Sequence, residues 1–509
     1  MRLFFYFLGV SAMQLFAATC EDLSKLSIPH ANVTSAQLVP AGGFPAPPGR
    51  GDAKVYAKLP AFCRVAASLH PSEDSNIKIE LWMPASSWNG RFHAAVQGGL
   101  AGAISYGLMV PALADGYAAA TTDTGHEGNN AEFMPAHPEL LVDFAYRATH
   151  EMAENSKVLI AAYYGNAPKR SYFNSCSGGG RQALANAQRF PQDFDGIVAG
   201  SASWNSMRMD AARVAVNLTV NRTPESAIPP AKYAAIHQAV LQACDALDGV
   251  RDGVIENPTK CRYAMSELLC KGADSVNCLT APQVESANLL LSPLFHPKTG
   301  AVLFEGHLWP GSELGWSALA SPEPLRNALT RLANITFRNS HWDPRTFNVD
   351  TDVEFADRAD KGLLASNDFN LKPFFDRGGK LLMYHGWADP QVTPQNSIIF
   401  YNSVLQTVGA SAGKSIALFM LPGVGHCGGG DGPDTFDKLE AIQDWVEHDR
   451  KPVRMVSSHL TGGKVDRTRP LCPFGQVARY KGTGDTNQAE NFSCAAEDMN
   501  TSFSRRQTP

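Results

Sequence analysis

The chain has 509 residues, 44% of them hydrophobic, and a formal net charge of -5 at neutral pH. That length buries a sizeable core and exceeds one average domain. Mild acidity without a basic block excludes the electrostatic footprint of a polyanion binder, so no nucleic-acid partner is expected.

The N-terminus reads MRLFFYFLGVSAMQLFAATC: Arg2, an apolar run from Leu3 to about Met13, then the small residues Ala17, Ala18 and Thr19. This pattern predicts a signal peptide over residues 1–19 and a secreted or periplasmic protein. The run is too short to span a bilayer, and no later stretch approaches the roughly 20 apolar residues of a membrane helix. Cys20 beside the cleavage region raises lipidation, but Thr19 before it fits that signal poorly. The ten cysteines (Cys20, Cys63, Cys176, Cys244, Cys261, Cys270, Cys278, Cys427, Cys472 and Cys494) are an even set in an exported chain, which favours disulfides. No Cys-x-x-Cys or Cys/His ladder offers a zinc site, and spacing alone does not give the connectivity.

From about Asn76 to Phe194, β-like runs (IKIELWM, RFHAAVQGG, GYAAATTD, RSYFNS) alternate with helical ones, LLVDFAYRATHEMAENSKVLIAAYYG above all. Such alternation predicts a parallel α/β sheet. Between Trp204 and Leu371 it gives way to loops, helical fragments, cysteines and tryptophans. It returns in KLLMYHG, IALFMLPG and the helix TFDKLEAIQDWVEHD. The expected organisation is one α/β domain in two parts, 20–203 and 372–509, interrupted by an insertion over 204–371.

FNSCSGGGRQALANAQRFP, residues 173–191, reads as a strand, a sharp turn and a helix. An α/β-hydrolase holds its nucleophile on such a turn, flanked by small residues so that strand and helix approach closely. Ser177 has Ser175 and Gly179 in those flanking places; reading Cys176 as nucleophile puts Asn174 there instead, a worse fit. In this fold the acid and the histidine follow on loops after later strands. KLLMYHG leads to Asp389, and IALFMLPG leads to His426. Alone, Asp389 before Pro390 reads as a turn starter and His426 as a loop histidine. Three coincidences at strand ends favour a Ser177–His426–Asp389 triad, with His385 a rival base of lower rank. The amide of Gly178 then supplies one oxyanion donor, and Gly98 or Gly99, after RFHAAVQGG, the other; the choice between them stays open.

CSGGGR, the HGWAD segment and GHC together resemble the tannase/feruloyl esterase family, and the likeness covers most of the chain. The resemblance implies an α/β-hydrolase fold whose cysteine-rich insertion is a lid. It also implies a disulfide between Cys176 and Cys427, which adjoin the serine and the histidine. The other implied pairs are Cys20 with Cys63, Cys244 with Cys261, Cys270 with Cys278, and Cys472 with Cys494. A disulfide holds two Cα atoms about 5.5 Å apart, so this bond would keep Ser177 and His426 near hydrogen-bonding reach.

The segment CDALDGVRDGVIENPTKC, 244–261, offers Asp245, Asp248 and Asp252 with the carbonyls of Val250 and Val254. These are oxygen donors of the kind Ca²⁺ takes, though not on an EF-hand template. On the residues alone an Asp/Gly turn cluster accounts for them; the resemblance implies a structural calcium in the lid. It further implies esters of aromatic acids as substrates: galloyl, feruloyl and other hydroxycinnamoyl esters, and in one branch a terephthalate monoester. Trp309, Trp316, Arg326, Arg331 and Arg338 are lid candidates for ring stacking or carboxylate binding, and equally for core or solvated surface. No organic cofactor is expected. Two other classes remain: a non-catalytic relative used for binding, which a lost triad member would mark, and an acyltransferase using the same triad.

Overall fold

The computed structural model describes residues 17–47, 53–135 and 137–499. The signal segment expected over 1–19 lies, up to residue 16, outside the described residues. Nine strands form one sheet: β1 (Ala31–Val39), β2 (Phe62–Leu69), β3 (Ile77–Pro84), β4 (Arg91–Ala94), β5 (Ala118–Thr122), β6 (Arg170–Cys176), β7 (Gly196–Gly200), β8 (Lys380–Gly386) and β9 (Ile416–Leu421). Their spatial order is β1-β2-β3-β5-β4-β6-β7-β8-β9. From β5 to β9 all pairs are parallel, as the strand–helix alternation predicts. The β1-β2-β3-β5 edge is antiparallel, which that alternation did not predict.

Burial explains the strands that were legible, and β7 shows how a short one escapes notice. The parallel strands are covered on both faces, so they read as apolar runs. Strand β7, GIVAG, is buried throughout, yet five residues with glycine at each end carry no periodic signal. Its glycines answer a packing demand: a Cβ on Gly200 would lie 2.2 Å from the Tyr384 ring.

The longer helices among the described residues are α1 (Tyr106–Ala114), α2 (Ala148–Tyr164), α3 (Gly178–Arg189), α4 (Ser206–Val220), α5 (Tyr233–Cys244), α6 (Ala281–Leu290), α7 (Val349–Ala359), α8 (Pro394–Val408) and α9 (Lys438–His448). Met152 and Ile160 of α2, Leu184 of α3 and Phe400 of α8 fill the core on one face of the sheet. Met109 and Leu113 of α1 and Ile442 and Trp445 of α9 fill the other. Residues 204–371 add no strand to this sheet and have cores of their own. One of these gathers Val240, Ile236 and Trp316; the other joins Leu332 and Val353 to Leu100 and Phe144, which precede the insertion. That shared core seats the insertion on the loops at the strand ends. Two antiparallel ribbons, Met455–Thr461 with Lys464–Leu471 and Gln476–Tyr480 with Phe492–Ala496, follow the last helix.

The ten cysteines form five disulfides, in the pairs that the resemblance implies. Cys20 is bonded to Cys63, which leaves no thiol there for a lipid. Among the described residues no helix is long and apolar enough to cross a membrane.

Candidate active site

Strand β6 ends at Cys176 and α3 begins at Gly178, which leaves Ser177 alone to make the turn. Its φ of 63° and ψ of -125° lie in a region that residues with a side chain rarely adopt, so the turn is strained. The turn is held from both sides: the Ser177 N–H donates to the Gly200 carbonyl at 2.9 Å, and its carbonyl accepts from Arg181 N–H at 2.9 Å. Close approach of helix to sheet accounts for the glycine run, because a Cβ on Gly180 would sit 2.4 Å from the Gly200 carbonyl oxygen.

The structure brings Ser177, His426 and Asp389 together from the ends of β6, β9 and β8. Ser177 Oγ donates to His426 Nε2 at 2.8 Å, and His426 Nδ1 donates to Asp389 Oδ2 at 2.8 Å. The other oxygen, Oδ1, accepts the N–H groups of Gln391 and Val392 at 2.8 and 2.9 Å. Burial alone would raise the Asp389 carboxyl, but His426 and His385 beside it, with their hydrogen bonds, hold it well below the usual carboxylate range. The ring of His385 is fully buried with its nitrogens turned to Ser397, Val392 and Asp389, which removes it as a rival base. Cys176 and Cys427 are bonded with Cα atoms 6.0 Å apart, each next in sequence to a member of the Ser177–His426 pair.

Gly98, Gly99 and Gly178 meet at the mouth of this turn. A Cβ on Gly98 would lie 2.9 Å from Ser177 Cβ, and one on Gly178 would lie 2.9 Å from the Gly99 nitrogen. Gly99 and Gly178 border the cleft in front of Ser177 and His426, and Gly98 is not among its lining residues.

The facing wall comes from the insertion: Met209 and Arg213 of α4, with Leu325, Arg331 and Leu364. Asp210, fully buried, accepts from Arg213 Nη1 at 2.9 Å and from Arg331 Nε at 2.5 Å. Arg181 also lines the cleft and donates to the carbonyls of Ala145 and Phe144 at 2.8 and 3.2 Å. Arg213 Nε is buried with no hydrogen-bond partner among the described residues. Of the lid residues considered from sequence, only Arg331 borders the cleft. Trp309 packs on Trp387 at 5.1 Å and Trp316 on Tyr233 at 6.3 Å, both within cores, while Arg326 and Arg338 are exposed. Arg181, Asp210 and Arg213 were missed; buried charges inside helical runs give no local pattern.

In the 244–261 loop, Asp245 accepts the N–H groups of Asp252 and Gly253 at 3.2 and 3.1 Å, and Asp248 that of Val250 at 2.9 Å. Asp252 accepts from Val254 N–H at 3.2 Å and pairs with Arg469. Burial, with Asp252 and Asp245 nearby, pushes the Asp248 carboxyl up to about 6. The donors are all oxygen, which suits a hard cation. Among the described residues, the one trio of ligand-type side chains already within metal-binding reach of one another is Cys270, Asp274 and Cys278, and its cysteines are bonded.

Residues 63–495 match the family model described as tannase and feruloyl esterase. The chain is 35% identical to an uncharacterised esterase of Xanthomonas campestris, over 94% of this chain and 91% of that one. It is 32% identical to a probable feruloyl esterase B-1 of Aspergillus oryzae, over 94% and 93%. The crystal structure of feruloyl esterase B from Aspergillus oryzae superposes with a TM-score of 0.86 at 31% identity, covering 94% of this chain and 99% of that one. A tannin acyl hydrolase from Aspergillus niger, 22% identical, shares the fold with a TM-score of 0.78 over 95% and 94% of the two chains. With an α/β-hydrolase sheet and this likeness along nearly its whole length, the chain belongs to the tannase and feruloyl esterase family and is a carboxylic ester hydrolase.

Proposed function

We propose that this esterase is secreted or periplasmic and cleaves esters of aromatic acids, feruloyl and related hydroxycinnamoyl or galloyl esters, with Ser177 as nucleophile. The observation that carries the mechanism is the unbroken chain from Ser177 Oγ through His426 to Asp389, with both links at 2.8 Å. Ser177 Oγ attacks the ester carbonyl as its proton passes to His426 Nε2, and Asp389 stabilises the imidazolium. The amides of Gly178 and Gly99 take the charge that develops on the carbonyl oxygen, each worth ~3 kcal/mol of barrier. His426 returns the proton to the departing alcohol, then activates water against the acyl-enzyme by the same route in reverse.

The feruloyl reading of the substrate is supported by the relatives named above. A second reading, an acid bearing a free carboxylate such as a terephthalate monoester, is favoured by the cleft wall. There Arg213 and Arg331 share the single carboxylate of Asp210, and Arg213 has an Nε–H to spare. Assay of the purified protein against methyl ferulate, methyl gallate and mono(2-hydroxyethyl) terephthalate, with products identified, separates the readings. Turnover of none of the three sinks both. Asp245, Asp248, Asp252 and the carbonyls of Val250 and Val254 would hold Ca²⁺, which when bound cross-links the lid loop. No step of hydrolysis runs through it.

A further inference from the structure

The geometry points to His385 as a positioning residue that tunes the reactive pair from behind Asp389, an inference that rests on the Ser177–His426–Asp389 reading. His385 sits near the end of β8, four residues before Asp389, and is fully buried. Its Nε2 lies 2.9 Å from the Val392 carbonyl oxygen and 3.2 Å from Asp389 Oδ2. Both are acceptors, so Nε2 carries a proton. Its Nδ1 lies 2.8 Å from Ser397 Oγ on α8, a hydroxyl free to donate to the neutral ring. The Ser397 contact therefore sets which face of the imidazole is turned to Asp389.

Asp389 Oδ2 thus lies between two imidazoles, His426 Nδ1 at 2.8 Å and His385 Nε2 at 3.2 Å, while Oδ1 takes two backbone N–H groups. The titratable and charged groups facing Asp389 from the packed elements are these two histidines and, from α4, Arg213. A second N–H on Oδ2 draws negative charge away from the His426 side. The carboxylate then stabilises protonated His426 less than it would alone. The Val392 carbonyl holds His385 Nε2 in place against that oxygen. The sign holds whether His385 is neutral or charged, because either form withdraws charge from Oδ2.

The test compares pH profiles of kcat/KM for wild type, His385→Leu, His385→Gln and Ser397→Ala on one soluble aromatic ester, with unfolding followed in parallel. His385→Leu is expected to move the acid limb up by roughly half to one pH unit and to lower plateau kcat about tenfold. His385→Gln, whose amide can donate from the place of Nε2, is expected to recover most of both, and Ser397→Ala to move the limb the same way by less. An acid limb that stays put or moves down in the folded variants overturns the proposal, even where kcat falls, because a structural loss alone lowers rate without moving the limb. Should His385→Leu not fold, Ser397→Ala decides by the same criterion. The underlying triad reading fails separately: Ser177→Ala retaining turnover would refute it, whatever the His385 variants do.

Discussion

On the sheet side of the cleft every polar atom of the Ser177, His426 and Asp389 side chains has a partner, whereas on the insertion side Arg213 keeps an Nε–H with none among the described residues. The first arrangement hangs on backbone: strand ends, amides and one disulfide fix it before any ligand arrives. The second hangs on side chains, with two guanidiniums held to one buried carboxylate. Saturated geometry suits a reacting group that must not move, since a small misplacement costs about 100-fold in rate. Unspent donors suit a surface that waits for a ligand, because a buried N–H without a partner costs about 1–3 kcal/mol until something accepts it.

The sharpest break of this contrast is Ser177→Ala, expected to lower kcat by about 10⁴-fold or more while leaving the unfolding midpoint near that of wild type. Burst titration with a chromogenic ester should likewise lose its burst. Replacing both Cys176 and Cys427 by Ala comes next, with turnover down by about 100-fold at a temperature where the variant stays folded. Chain entropy allows the bond roughly 5 kcal/mol of stability as well, so turnover and unfolding are to be read at the same temperature. Full turnover in the folded double variant would show that the bond does not hold Ser177 and His426 in register.

The insertion side is probed by Arg213→Leu. For an ester whose acid carries a free carboxylate, KM should rise about 10- to 100-fold, as for loss of one charge-assisted hydrogen bond. For methyl ferulate it should change by less than about threefold. Equal changes for both esters would make Arg213 a scaffold residue. Exhaustive chelation should lower the melting temperature by about 5 °C, the effect of losing an ion held at a hundred times its dissociation constant. An unchanged midpoint, with no calcium in elemental analysis, returns the 244–261 loop to an Asp/Gly turn.

The smallest expected effect concerns a joint between the two sides. His237 of α5 meets Glu313 Oε2 at 2.8 Å and, with its other nitrogen, Asp431 Oδ2 at 3.4 Å on the loop after His426. Burial works against the charged ring, but Asp431 and Glu313 outweigh it and push His237 up to about 9. A group raised in the folded state stabilises below its unfolded value, about 6.5. That contribution is lost as pH rises through about 9. His237→Gln should therefore lower the melting temperature by roughly 4 °C at pH 6 and converge on wild type above pH 10. Parallel curves across that range would show that His237 is neutral throughout.

Much of the site was legible in sequence because an α/β-hydrolase places its reactive groups at strand ends in a set chain order. Ser177, Asp389 and His426 each follow an apolar run, and a run is visible without a fold. The cysteines beside Ser177 and His426 added a second signal through the family resemblance, which implied a bond between them across 251 positions. Less was legible at the antiparallel edge, where β1 and β2 precede the alternation that marked the sheet, and at β7, too short and glycine-bounded to show a period.

What the amino-acid order determined by itself is therefore local: strand-to-helix turns, small residues where backbones must touch, and an acid and a histidine on the loops after two apolar runs. Which charges border the cleft depends instead on how distant helices pack. Arg331 differs from Arg326 and Arg338 in nothing that composition or spacing records, yet it alone of the three is buried against Asp210 at the cleft. Asp210 is 121 positions away from it, and Ser397, which orients His385, is 12 positions along the chain from that ring. Such pairings depend on which helix faces meet, and helix periodicity shows that a face is buried without showing what it is buried against.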